Sequence, residues 1–158
     1  MVSMGLWAAP GEELEGSWVL EPQRSAPMEP LLAAMGVPWL ERQAAARIVP
    51  EQDIAVAADG KAVTITSRVP TSAQSTLVVD GVQRPSQGMA GFHTARHSWE
   101  VDGGLVSVLN GQAPDGAPMT AVIRRGVDQT GALVQEIYLE VARTELHTVR
   151  VSRVFTRR

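Results

Sequence analysis

After Pro50 the chain carries a turn signal about every eight to twelve residues, with alternating apolar and polar stretches between, and no other feature restricts its fold as much. Asp59-Gly60, Asp80-Gly81, Asp102-Gly103-Gly104, Asn110-Gly111 and Asp115-Gly116 supply residues that accept the positive φ of tight hairpins. Strands are expected near 52–58, 61–68, 75–80, 82–87, 92–101, 104–110, 118–127, 132–142 and 146–156. A further strand opens at Gly16, in Gly-Ser-Trp-Val-Leu-Glu, and stops at Pro22, which brings the total to ten. Pro85 weakens the 82–87 segment, because proline removes a donor from the ladder.

Between residues 27 and 48 the period changes. Met28, Leu31, Leu32 and Met35 recur at helical spacing, Gly36 and Pro38 interrupt, and Trp39, Leu40 and residues 43–47 resume. Two short helices with a sharp turn are expected. Met28, Leu32 and Met35 read as residues that seal the helices onto the barrel, with Trp18 in the core and Trp39 packing the lid. One helical pair after the first strand, followed by an uninterrupted meander, closes most simply as an all-β, ten-stranded up-and-down antiparallel β-barrel with a two-helix lid. Ala, Val, Thr and Ser dominate the strands, which leaves space inside such a barrel for a ligand. Residues 1–13, with Gly5, Pro10, Gly11 and an isolated Trp7, show no sustained period and read as a flexible N-terminal tail ahead of a barrel domain over 14–158.

Charge and composition exclude several functions. A formal charge of -3 provides no global positive field for nucleic acid. Without cysteine there are no disulfides, thiolate catalysts or cysteine-ligated metal sites, and the chain is expected in the cytoplasm. No apolar run approaches the roughly 18 residues of a spanning helix, so no stable membrane insertion is expected. His93 and His97 sit four apart, but on a strand that separates them by about 13 Å, too far for one metal ion. His147 is isolated, and neither a Ser-His-Asp pattern nor paired carboxylates stand out.

The last strand carries the chemistry. Val149, Val151, Arg153 and Phe155 share one face, so a guanidinium points where valines point. A buried guanidinium needs an anionic partner, and the carboxylate of an otherwise apolar molecule matches its two parallel donors. The alternative is that Arg153 reaches water from the barrel end, where Arg157 and Arg158 also cluster. In Thr120-Ala-Val-Ile-Arg-Arg, one of the two arginines must share the face of Val122, which favours Arg124 as a second inward cation unless a bulge sends both to solvent.

Several of these segments, taken in order, resemble the cytosolic fatty-acid-binding protein family, which includes the cellular retinoid-binding proteins. Leu14-Glu-Gly-Ser-Trp18 resembles its opening aromatic-x-Gly-x-Trp, and Leu32-Ala-Ala-Met-Gly-Val37 with Arg42-Gln43 resembles its helix-turn-helix. Ile54, Asp59-Gly60 and Val63-Thr-Ile-Thr66 resemble a family hairpin, Asp102-Gly103-Gly104-Leu105-Val106 another, and Val151-Ser-Arg-Val-Phe155 the closing motif. The resemblance implies a monomeric, non-enzymatic intracellular carrier for a long-chain fatty acid or similar apolar carboxylate, with no cofactor. It implies that Arg153 and Arg124, with Phe155, form the ligand-binding group, and that Leu32, Met35 and Trp39 belong to the lid. Two departures bear on specificity: Phe155 replaces the family's usual tyrosine, and the chain has only seven aromatics for a family often rich in phenylalanine; residues 110–118 also look like a surface loop longer than the family's. Two alternatives remain: a haem or other cofactor carrier using an inward His97, and an enzyme built on the same barrel.

Overall fold

The computed structural model describes residues 10–69, 72–87 and 90–158; Trp7 lies outside them. Ten strands form one sheet: β1 Gly16–Leu20, β2 Glu51–Val56, β3 Ala62–Val69, β4 Ala73–Val78, β5 Arg84–Pro85, β6 Phe92–Trp99, β7 Leu105–Gln112, β8 Pro118–Val127, β9 Leu133–Ala142 and β10 Leu146–Arg157. Their order is β4-β3-β2-β1-β10-β9-β8-β7-β6-β5, and every neighbouring pair is antiparallel. Hairpins join the neighbours except β1 and β2, between which two helices intervene, and β1 and β10, whose pairing sets Trp18 opposite Arg157 and Leu20 opposite Phe155. The sheet curls until β4 nears β6: Val79 bridges His97, and the Gly81 N–H donates to the His97 carbonyl at 2.8 Å. The expected barrel is thus observed, with a seam at β4 and β5, the two ends of the strand order.

Local chemistry explains most boundaries. Strand β5 is two residues long and contains Pro85, so the proline that weakens the sequence pattern also limits the strand. The hairpin expected at Asn110-Gly111 is not there. Strand β7 runs through both residues to Gln112, pairing Asn110 with Thr120 and Gly111 with Met119, and the turn falls at Asp115-Gly116. The loop expected over 110–118 is therefore corrected to 113–117. Gly111 serves close packing: a Cβ there would lie 1.8 Å from the Gly91 carbonyl oxygen, where the β6 ladder is bulged between Phe92 and Thr94.

The helices α1 Glu29–Ala34 and α2 Trp39–Ala46 lie between β1 and β2, with Gly36 at φ 82° in the turn. Helix α1 buries Leu31 and Ala34, followed by Met35, against the barrel, with Leu32 half-buried beside them. Helix α2 buries none of its residues. It is held through Arg42, whose Nε donates to Glu29 Oε1 at 2.7 Å and whose Nη1 donates to the Val37 carbonyl. Trp39 is 60% exposed, which corrects the expectation that it packs the lid.

The opposite end is closed by the segment before β1. Pro10 to Glu13, read from sequence as tail, pack against the barrel. Gly11 takes φ 73° beneath the Trp99 ring, and Leu14 is fully buried. Trp18 Nε1 donates to the Leu14 carbonyl at 3.0 Å, and the Arg157 guanidinium stacks over the Trp18 ring at 4.3 Å while donating to the Glu13 and Glu15 carbonyls. Two apolar clusters result. One joins Leu31 and Met35 to Leu109, Met119, Ile137 and Leu139 under the helices; the other gathers Leu14, Trp18, Leu105, Leu133 and Phe155 at the closed end. Each fully buried leucine contributes about 1.5–3 kcal/mol.

Candidate functional site

Register decides which side chains line the interior. Strands β8, β9 and β10 align Ile123, Ile137 and Val151 in one cross-strand row and Arg125, Gln135 and Arg153 in the next. All six face inward, because the odd-numbered positions of these strands, such as Ala121, Leu139 and Phe155, are buried. Arg153 is therefore inside, as alternation predicts. Arg124 is not. It points outward, 55% exposed, with its Nε 3.5 Å from Glu100, and the inward cation of β8 is Arg125. The expectation of an inward Arg124 is corrected on this point. Thr120-Ala-Val-Ile is apolar on both faces, so Val122 and Ile123 were equally good guides to the inside, and Ile123 is the buried one.

Arg153 lines a cavity of about 380 Å³ between the helices and strands β2, β3, β9 and β10, together with Met28, Leu32, Gln135 and Phe155. Its Nη1 donates to the Ala26 carbonyl at 2.8 Å. No carboxylate among the described residues lies within ion-pairing distance of it. Desolvation lowers its pKa. Phe155, 4% exposed, sits two residues on along the same face and offers this guanidinium no hydroxyl. Of the expected lid residues, Leu32 lines the cavity, Met35 packs in the cluster above it and Trp39 faces solvent.

Arg125 lines a second cavity, of about 330 Å³, reached from the seam side by residues of β4 and β5. Its Nε is buried without a hydrogen-bond partner, and desolvation pushes its pKa down to about 10. Some accessible surface remains on the residue, in keeping with its place in a cavity wall, while its Nε is buried. His97 and Ser107 line the same cavity, and His97 Nδ1 lies 2.7 Å from Ser107 Oγ. Burial, reinforced by the Arg125 charge, holds the imidazole pKa below its ordinary value of 6.5, so His97 is neutral at pH 7.

His97 thus faces the interior, as the haem alternative requires. His93 does not join it: the bulge between Phe92 and Thr94 turns Phe92 inward and leaves His93 exposed. No group of three metal-ligating side chains occurs among the described residues. Nor do they complete a catalytic triad on His97 and Ser107, since the nearby Asp80 carboxylate accepts two hydrogen bonds from Arg84, at 2.8 and 2.7 Å. Sequence reading missed Arg125, Gln135 and Ser107 as interior polar groups. Strand parity counted from Ile123 would have found Arg125.

No protein-family model matches the sequence, and no curated protein sequence matches it. Solved structures do match its fold. Apo lipid binding protein 8 of Caenorhabditis elegans superposes with a TM-score of 0.73 at 19% identity, over 100% of this chain and 99% of that one. The fatty acid binding protein of Schistosoma mansoni in complex with arachidonic acid gives 0.68 at 17%, over 95% and 99%. Human cRBP IV gives 0.62 at 18%, over 92% and 98%. The fold is that of these lipid-binding proteins, as the resemblance implied. No helix among the described residues is long and apolar enough to cross a membrane.

Proposed function

We propose that the chain is a non-enzymatic carrier that holds a long-chain fatty acid or similar apolar carboxylate inside the barrel, acting as a monomer in the cytoplasm. The observation that carries this reading is Arg153: a guanidinium in an apolar cavity beneath the helices, bonded to one backbone carbonyl and unmatched by any carboxylate of the described residues. A ligand carboxylate supplies the missing charge and accepts the remaining donors. The two cavities fall within the roughly 300–1,000 Å³ of small-molecule sites and combine apolar walls with a few placed polar groups. Binding of fatty acid by proteins of this fold, such as the arachidonic acid complex of the Schistosoma mansoni protein, supports the same ligand class.

Competition against a fluorescent fatty acid tests the proposal. Arg153→Gln should weaken a long-chain acid by about 1.5–3 kcal/mol and leave the matching alcohol nearly unchanged. Equal affinity for acid and alcohol in the unaltered protein, unaffected by the substitution, would remove the carboxylate and leave only an apolar cavity.

A further inference from the structure

Beside the row of Arg125, Gln135 and Arg153 the interior carries a second polar point. His97 and Ser107 pair across β6 and β7, in a row that continues through Ile123, Ile137 and Val151. This row lies two residues along the strands from the arginines, about 7 Å. Ser107 is 2% exposed, and its Oγ lies 2.7 Å from His97 Nδ1 on the wall of the Arg125 cavity. Neither side chain makes another hydrogen bond among the described residues. The next row on, through Leu109, Ala121 and Leu139, is buried and apolar.

One hydrogen bond leaves both members short of partners. A hydroxyl has one donor and two acceptor sites, and a neutral imidazole has one nitrogen that donates and one that accepts. Burial keeps His97 neutral at pH 7. If Ser107 donates to Nδ1, the Nε2–H and the serine lone pairs remain; if Nδ1–H donates to Ser107, the serine proton and the Nε2 lone pair remain. Either way the pair keeps a donor and an acceptor for a third group. A plain hydrocarbon chain lying there would leave both unanswered, which costs free energy in a site withdrawn from water. A carboxylate only accepts, and the guanidinium row attracts it more strongly. A hydroxyl donates and accepts, and so matches what the pair has left.

Resting on the carrier reading, which puts the carboxylate on the arginine row, we infer that His97 and Ser107 select an apolar acid that bears a hydroxyl on its chain, one interior row away from the carboxylate. The ligand class is a long-chain hydroxy acid with the hydroxyl within its first several carbons. A hydroxyl further along the chain meets apolar wall and loses its water without a partner.

The test is displacement of 11-(dansylamino)undecanoic acid from delipidated protein by hexadecanoic acid and by 2-, 3-, 5- and 12-hydroxyhexadecanoic acid. The hydroxy acids are isomers, so differences among them report the position of the hydroxyl and not its polarity. The tightest of the 2-, 3- and 5-hydroxy acids should bind about tenfold or more tighter than the 12-hydroxy acid, and no more weakly than hexadecanoic acid. His97→Leu combined with Ser107→Ala should level the isomers while keeping hexadecanoic acid within about threefold of its original affinity, and this retained binding shows that the variant is folded. The ranking in the unaltered protein is a test without any variant: isomers of equal affinity, or a 12-hydroxy acid tighter than the rest, would overturn the inference and leave the carrier reading intact. A ranking that survives the double substitution would overturn it as well. If none of these acids binds, the carrier reading falls with it.

Discussion

Removing the charge of Arg125 should stabilise the empty protein, which is an unusual expectation for a substitution inside a barrel. Among the described residues the guanidinium has no carboxylate partner and its Nε no hydrogen bond, and desolvation alone takes its pKa down to about 10. That lowering corresponds to roughly 3 kcal/mol of cost borne by the charged form. Water in the adjoining cavity screens part of it, so about 1–3 kcal/mol is the amount to be recovered. Methionine suits the site because the inward neighbours are Ile123 and Val127 on the same strand and Leu105 opposite, and its unbranched side chain fills irregular space. Urea unfolding of delipidated Arg125→Met at pH 7 should therefore show a higher midpoint at unchanged m-value. The gain has a pH signature. Because the folded-state pKa lies below the unfolded one, the cost is complete at any pH under about 10 and fades as pH rises above it. The difference between variant and parent should be flat from pH 7 to 9 and shrink above. A variant less stable than its parent at pH 7 would show that Arg125 is satisfied in the folded protein, and the reasoning from its missing partner would fail.

Three further outcomes follow from particular contacts. Gly11→Ala places a Cβ 2.1 Å from the Trp99 ring on a residue at φ 73°, and should cost about 1–3 kcal/mol in urea unfolding, with a shift in tryptophan fluorescence; a neutral result would mean that the 10–14 segment does not close the barrel. Since the folded-state pKa of His97 lies below the unfolded 6.5, its contribution is full above 6.5 and is lost as pH falls toward the folded value; unfolding measured at pH 7 and pH 5 should show a loss that His97→Gln diminishes. In hydrogen exchange α2, which buries no side chain, should be less protected than α1, which buries Leu31 and Ala34; equal protection would argue for a rigid two-helix cap.

The strands were legible because their turns are. Asp59-Gly60, Asp102-Gly103-Gly104 and Asp115-Gly116 each supply a glycine at positive φ, and between such points β-branched residues alternate cleanly enough to place β3, β8 and β9 within a residue or two. Asn110-Gly111 carries the same signal and is wrong, since its glycine answers a different demand, the passage of Gly91 backbone at a distance no Cβ tolerates. Local turn chemistry cannot report that contact, because the partner lies about twenty residues away in the chain. Trp39 fails for a related reason. Helical spacing shows which residues share a face, but not whether that face is covered: α2 buries none of its residues, and Trp39 on it is exposed.

The site was legible to the same degree as strand parity. On β10 the alternation Val149, Val151, Arg153, Phe155 admits one inward set, because Arg150, Ser152 and Thr156 are poor candidates for the interior. On β8 four consecutive residues fit either face, and a slip of one position exchanges Arg124 for Arg125. The exchange changes more than a residue number. Arg124 reaches Glu100 across the outer surface and its charge is answered by the protein. Arg125 meets Leu105, Gln135 and a cavity, and its charge is not. Ladder register, fixed by Ile123 against Ile137 and Val127 against Leu133, therefore sets the interior charge of the barrel. With Gln135 between them, neutral and able to accept as well as donate, Arg125 and Arg153 stay in one row without a protein carboxylate to collapse onto. Such a row holds two charges that no carboxylate of the described residues answers.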